Sequence, residues 1–95
     1  MFTFEWDENK AKSNLRKHGV SFAEAESIFK DQLLITFPDE AHSQNEERLI
    51  SIGLSNFSRI LLAVHTEVHE TQEIIRIISC RKATPLEREV YEENY

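Results

Sequence analysis

Phe2-Thr3-Phe4-Glu5-Trp6-Asp7 opens the chain, and Lys10, Asn14, Lys17-His18-Gly19-Val20 and Ser21-Phe22 follow. Phe2, Phe4 and Trp6 alternate with Thr3 and Glu5, the period of a strand with one buried face. Asp7 falls at the N-cap position of a helix, where its carboxylate can accept from the unpaired amides of the first turn. Trp6 and Ala11 are spaced as a hydrophobic staple. The helix stops at His18-Gly19, since glycine takes the left-handed C-cap conformation at no steric cost. Lys17 and His18 occupy its last turn, where positive charge complements the helix dipole. Ser21-Phe22-Ala23-Glu24 reads as a capping box, with Val20 and Ala25 as its staple. Two helices therefore abut with almost no linker, and Lys17 and His18 sit at the corner.

Working outward, the second helix runs over about 22–30, and Leu33-Leu34-Ile35-Thr36-Phe37 reads as a strand stopped by Pro38-Asp39. A polar loop containing His42 separates it from a strand over Arg48–Leu54. Asn56-Phe57-Ser58 is a hairpin turn. Arg59–Thr66 and Glu73–Arg81 are long β-branched and aliphatic runs, read as central strands joined by a polar turn at His69–Gln72. Thr84-Pro85-Leu86-Glu87 starts a last helix reaching roughly Asn94, with Thr84 as cap, Pro85 in the first turn and Glu87 closing the box. The predicted class is α+β in the order β-α-α-β-β-β-β-α. Its sheet is mainly antiparallel, with the two N-terminal helices on one face.

The 95 residues make one domain, residues 1–95. Within them there is no basic-then-apolar leader and no apolar run of membrane-spanning length, so the expectation is a cytoplasmic protein without a membrane partner. A single cysteine, Cys80, allows no internal disulfide. The formal net charge of −6 argues against a dedicated nucleic-acid binder, which is usually basic. The charge is uneven, however. Lys10, Lys12, Arg16 and Lys17 cluster without an acid, whereas Glu87, Glu89, Glu92 and Glu93 are accompanied only by Arg88.

Chemistry-bearing residues gather late in the chain. Arg76, Arg81, Lys82 and Arg88 surround the end of the last strand. In a regular strand Arg76 shares a face with Ile74, Ile78 and Cys80, and Arg81 points the other way with Ile75, Ile77 and Ser79. An arginine in so apolar a run needs an anion. It is either a glutamate such as Glu46, Glu47 or Glu73, or a phosphate, whose geometry the guanidinium fork matches. His65, Glu67 and His69 superficially suggest a zinc-protease motif, but the glutamate is displaced by one and a strand end does not bring both rings to one side, so no metal site is expected. His18 is either a C-cap partner or a catalyst. His42 carries no signal, and Cys80 reads as a buried apolar residue.

Phe-x-Trp-Asp-x-x-Lys-x-x-x-Asn-x-x-Lys-His-Gly-Val-x-Phe, as Phe4–Phe22 has it, resembles the start of the BrnT toxins of type II toxin–antitoxin modules. The likeness continues through Asp31, Arg48, Ile52-Gly53, Val64, Arg76–Thr84, Glu87 and Tyr91. It implies a RelE-like fold and a ribonuclease that blocks translation without metal or other cofactor. It also implies a BrnA-type antitoxin partner, through which alone the chain would meet operator DNA. RNA cleavage needs an aligned 2′-hydroxyl, a proton acceptor, and cations for the developing charge. On that implication Arg81 is the main phosphate clamp, Arg48 or Arg76 a second cation, His18 or His65 the acid/base, and Tyr91 a substrate-positioning group, with Lys17 and Lys82 touching RNA. The competing expectation is a non-catalytic module that binds a DNA-binding antitoxin and tunes transcription.

Overall fold

The computed structural model describes residues 2–42, 47–69 and 73–93. Its elements are β1 (Phe2–Glu5), α1 (Glu8–His18), α2 (Phe22–Ser27), β2 (Ile35–Pro38), β3 (Leu49–Leu54), β4 (Ile60–His69), β5 (Glu73–Lys82) and α3 (Pro85–Glu92), with 3-10 turns at Ile28–Lys30 and Glu40–His42. Glu46, the turn at 70–72 and the expected helix end at Asn94 lie outside the described residues. The five strands form one sheet in the order β1-β5-β4-β3-β2. β2 to β5 are an antiparallel meander, but β1 pairs with β5 in parallel, Phe2 opposite Glu73 and Glu5 opposite Arg76. The sheet is therefore mixed, which corrects the mainly antiparallel expectation. The chain leaves β1 at one edge and crosses one face through α1 and α2 to β2 at the other, so β1 is left beside β5, a placement that sequence patterning does not reveal.

The helix-end signals act as read, with one exception. Asp7 accepts from the amides of Asn9 (2.8 Å) and Lys10 (3.1 Å). Gly19 adopts φ 69° and closes α1 onto the Leu15 carbonyl. Ser21 caps α2 by accepting the Glu24 amide, but the Glu24 carboxylate bonds Ser55 and Arg59 instead of closing the expected box; Thr84 with Glu87 forms a complete capping box on α3. The second helix is shorter than expected, since its last turn tightens into the 3-10 form at Ile28–Lys30.

Each sheet face carries its own core. Under α1 and α2 lie Val20, Phe22, Ala25, Ile28, Leu61, Ala63, Ile75, Ile77 and Cys80, joined by Phe4 and Trp6. On the opposite face Ile52, Leu62 and Tyr91 form a smaller cluster with Ile35, Ile50, Ile60 and Val64. Tyr91 anchors α3 there, and its hydroxyl donates a short hydrogen bond to Asp31. Asp31 also accepts from the amides of Leu33 (2.9 Å) and Leu54 (2.8 Å), tying the 3-10 turn to the end of β3.

The ladder between β4 and β5 is irregular. Val64 pairs with Ser79 but His65 pairs with Ile77, so Ile78 is an extra residue on β5. The bulge inverts side-chain parity. Ile75, Ile77 and Cys80 all reach the helix-covered core. Arg76 and Arg81 are consequently both on the other face, which overturns the expectation that they point apart.

Beyond Arg76 the outer edge of β5 has no strand partner, because β1 ends at Glu5. Asn14 of α1 takes over. Its buried amide donates to the carbonyls of Cys80 (2.9 Å) and Val20 (3.0 Å), and its oxygen accepts the Cys80 amide (3.1 Å). Asn14→Asp keeps the shape but removes both donated bonds and sets a carboxylate against two carbonyls. It is expected to destabilise the fold by about 3 kcal/mol or more in urea unfolding. Lys12→Ala, on the exposed side of the same helix, should stay within about 0.5 kcal/mol of the parent.

Candidate active site

A cleft of about 380 Å³ opens on the sheet face opposite α1 and α2. Its floor is apolar, made by Ile50 of β3 with Leu62 and Val64 of β4. Ser79, Arg81 and Glu87 from the β5–α3 junction line one side, with His18 at the end of α1. Phe37 of β2 and then Asp39 and His42 line the other. The volume falls within the range of small-ligand sites, roughly 300–1,000 Å³.

Arg81 is in the cleft because of the β5 bulge. Its Nη1 and Nη2 donate to the two carboxylate oxygens of Glu87 (2.7 and 2.9 Å), and Nη1 also donates to the Lys82 carbonyl (3.3 Å). A guanidinium has five N–H donors. The Nε–H and one Nη2–H therefore stay available as a second fork, so Glu87 aims the side chain without exhausting it. Hydrogen bonds from Arg81, with others from the Thr84 amide, hold the Glu87 carboxyl down at about 2. It is charged at any neutral pH and is a poor proton acceptor there.

The remaining candidates fall in different places. His18 lines the cleft. Lys17 and Lys82 are exposed and each precedes or follows a cleft residue in the chain. Arg48 is half-buried just before β3, and its carbonyl accepts the Asp39 amide (2.8 Å) beside the cleft. Arg76 is exposed at the far end of β5 and pairs with Glu5 (2.7 Å), a partner the sequence did not suggest. Tyr91 is buried in the small core.

His65 is on the helix-covered face and fully buried. Its Nε2 shares a 2.7 Å hydrogen bond with Ser51 Oγ, its ring packs edge-on against Phe29, and Nδ1 has no partner among the described residues. Burial pushes its pKa down to about 4. Cys80 likewise faces away from solvent, and burial pushes its thiol up to about 12. The site also contains two residues to which sequence reasoning assigned no functional role, Asp39, read only as part of a strand stop, and His42. His42 Nδ1 lies 3.2 and 3.1 Å from the two Asp39 carboxylate oxygens. The available signal was an acid three residues before a histidine in a polar stretch, too common a pattern to single out.

Residues 6–87 match the family described as the ribonuclease toxin BrnT of type II toxin–antitoxin systems. The chain belongs to the BrnT family. Among solved structures, it is similar to the crystal structure of the Brucella abortus ribonuclease toxin BrnT, with 30% sequence identity and a TM-score of 0.64 over 88% of this chain and 97% of that one. No curated protein matches it. The residues that carried the resemblance to BrnT divide into two kinds. Trp6, Asp7, Asn14, Gly19, Phe22, Asp31 and Tyr91 build the scaffold, while His18, Arg81 and Glu87 line the cleft. Among the described residues no helix is long and apolar enough to cross a membrane.

The buried histidine gives a pH prediction. Its folded value of about 4 lies below the ordinary 6.5, so between them the unfolded chain takes up a proton that the fold refuses. Stability must fall as pH drops through that window. From pH 6.5 to 5 the loss is expected to be about 1.6 kcal/mol in urea unfolding, before the carboxylates titrate. His65→Gln should flatten it.

Proposed function

We propose that this chain is the toxin of a type II module, a metal-free endoribonuclease that inhibits translation in the cytoplasm and is neutralised by a BrnA-type antitoxin. The observation that carries the reading is the cleft itself. It sets a guanidinium with an unused fork beside a histidine, on an apolar floor, in a chain of the BrnT family. Arg81 grips the scissile phosphate through Nε and Nη2, Glu87 holding the opposite end of the guanidinium. Charge building on the phosphate oxygens then meets a pre-oriented cation, the arrangement in which electrostatic stabilisation is most effective. His18 handles a proton at one oxygen of the reacting phosphodiester. Lys17 and Lys82 extend the basic surface along the RNA backbone. Because the net charge is −6, operator DNA is reached through the antitoxin and not by this chain alone.

Arg76 and Tyr91 have structural work in this reading, Arg76 in its pair with Glu5 and Tyr91 under α3. Arg48 acts on the cleft through the Asp39 backbone. Arg81→Ala should retain the fold and lose about 10²–10³-fold in RNA cleavage, with loss of growth arrest on induction. A folded Arg81→Ala protein as toxic as the parent would refute the assignment. A parent that binds an antitoxin yet neither arrests growth nor cuts RNA is the outcome expected of a non-catalytic interaction module.

A further inference from the structure

Asp39 and His42 stand across the apolar floor from Arg81. Arg81 is in register with Ile35 of β2 through Leu62 and Ile52, so Asp39 lies three ladder steps across and four residues along the sheet from it, roughly 14 Å and 13 Å at the backbone, with the one cleft running between them. Long side chains from both ends thus line one cleft, and an RNA segment lying along its floor meets both. The pair is fixed by the backbone. The Asp39 amide donates to the Arg48 carbonyl of the β3 segment (2.8 Å), and the His42 amide closes the 3-10 turn onto the Asp39 carbonyl (3.2 Å). The Asp39 side chain is only 14% exposed, whereas that of His42 is 66% exposed. The carboxylate is thus held against the protein while the ring stands open at the cleft.

An exposed i,i+3 pair contributes little to stability. Its position in the same cleft as His18 and Arg81 gives it a second use. With Nδ1–H donating to Asp39, the Nε2 lone pair of His42 is left for another proton. Among the described residues His18 is the other imidazole lining the cleft and serves the leaving oxygen, whereas Glu87 is committed to Arg81 and the Thr84 amide, and the side chains of His65 and Cys80 are buried in the opposite core.

We infer that Asp39 and His42 form the second half of the catalytic apparatus, His42 as general base on the 2′-hydroxyl and Asp39 as its positioning residue. The assignment rests on RNA being the substrate. His42 Nε2 takes the 2′-hydroxyl proton as O2′ bonds to phosphorus. The P–O5′ bond breaks with its electron pair passing to O5′, which receives a proton from His18. The products are a 2′,3′-cyclic phosphate and a free 5′-hydroxyl. Arg81 carries the phosphate charge throughout, and solvent resets both imidazoles. The same RNA made with 2′-deoxyribose is bound and left whole, since it lacks the nucleophile.

The test uses a reporter messenger RNA, free and in a cell-free translation mixture, with the parent protein, Arg81→Ala, His42→Ala, His42→Asn and Asp39→Asn. His42→Asn keeps an amide to donate to Asp39 but has no imidazole to take the proton, so it guards against loss of the turn. The expected result is cleavage by the parent with 2′,3′-cyclic phosphate ends. Both His42 variants should lose roughly 10²–10⁴-fold in rate at saturating protein, with the half-saturating concentration unchanged. Asp39→Asn should lose roughly 10–100-fold in the same rate alone. If the parent cuts RNA and Arg81→Ala does not, but folded His42→Asn cuts at the parent's rate, the dyad is overturned and the ribonuclease reading stands. If the parent cuts RNA in neither setting, the ribonuclease reading fails and the dyad with it.

Discussion

The cleft depends on one buried amide. β1 is four residues long because Trp6-Asp7 turns the chain into α1, and this leaves the outer edge of β5 without a strand from Ile77 onward. An unpaired edge inside the protein is costly, since each backbone group there loses water without replacement. Asn14 resolves the problem by imitating a strand residue, donating to one carbonyl of Cys80 and accepting its amide. It also bonds Val20, so one side chain fixes the α1–α2 corner and the end of β5 together. His18 leaves from the first and Arg81 from the second. The two cleft residues are thus referenced to a common point.

A second lock lies at the far side of the same corner. Glu24 is buried, accepts from Ser55 Oγ (2.7 Å) and Arg59 Nε (3.0 Å), and forms a short ion pair with Arg59 Nη2. Arg59 in turn donates to the Gly19 carbonyl (3.2 Å), and its hydrogen bonds to Glu24 lower that carboxyl's pKa. The helix pair is thereby fastened to the β3–β4 hairpin. With both locks on one face, that face is a dry core in which His65 and Cys80 are chemically silent. Among the described residues α3 meets the opposite face through the buried Tyr91 and through Glu87 on Arg81, and the cleft beside them holds the ionisable groups.

What could be read from the sequence follows this division. Asp7, Gly19, Ser21 and Thr84 act within four residues of themselves, and their roles were legible, as was that of Glu87 in the capping box but not its hold on Arg81 six residues back. Also legible was the alternation that defines the strands. The parallel seat of β1 was not, because it is decided by which edge the helix pair leaves uncovered. Nor was the bulge at Ile78, a single uncounted residue in a uniformly aliphatic run that reverses the facing of every residue after it. Arg81 was found because a cation at a strand end next to a helix start is locally conspicuous. Asn14 was quoted in the motif without a role, since its partners are 66 residues away in Cys80. The sequence makes His65 an acid/base candidate and leaves His42 without a signal; burial of the first and the place of the second in the cleft reverse that order.

The central claim is that the bulged, Asn14-held end of β5 presents Arg81 to a phosphate between His18 and His42. A crystal structure with a short 2′-deoxy analogue of RNA tests it most directly. The account predicts the phosphate on the Nε and Nη2 donors of Arg81, with Glu87 still bound to the other end of the guanidinium and the two imidazoles on opposite sides of phosphorus. A phosphate seated elsewhere on the protein, with Arg81 engaged by Glu87 alone, would contradict it.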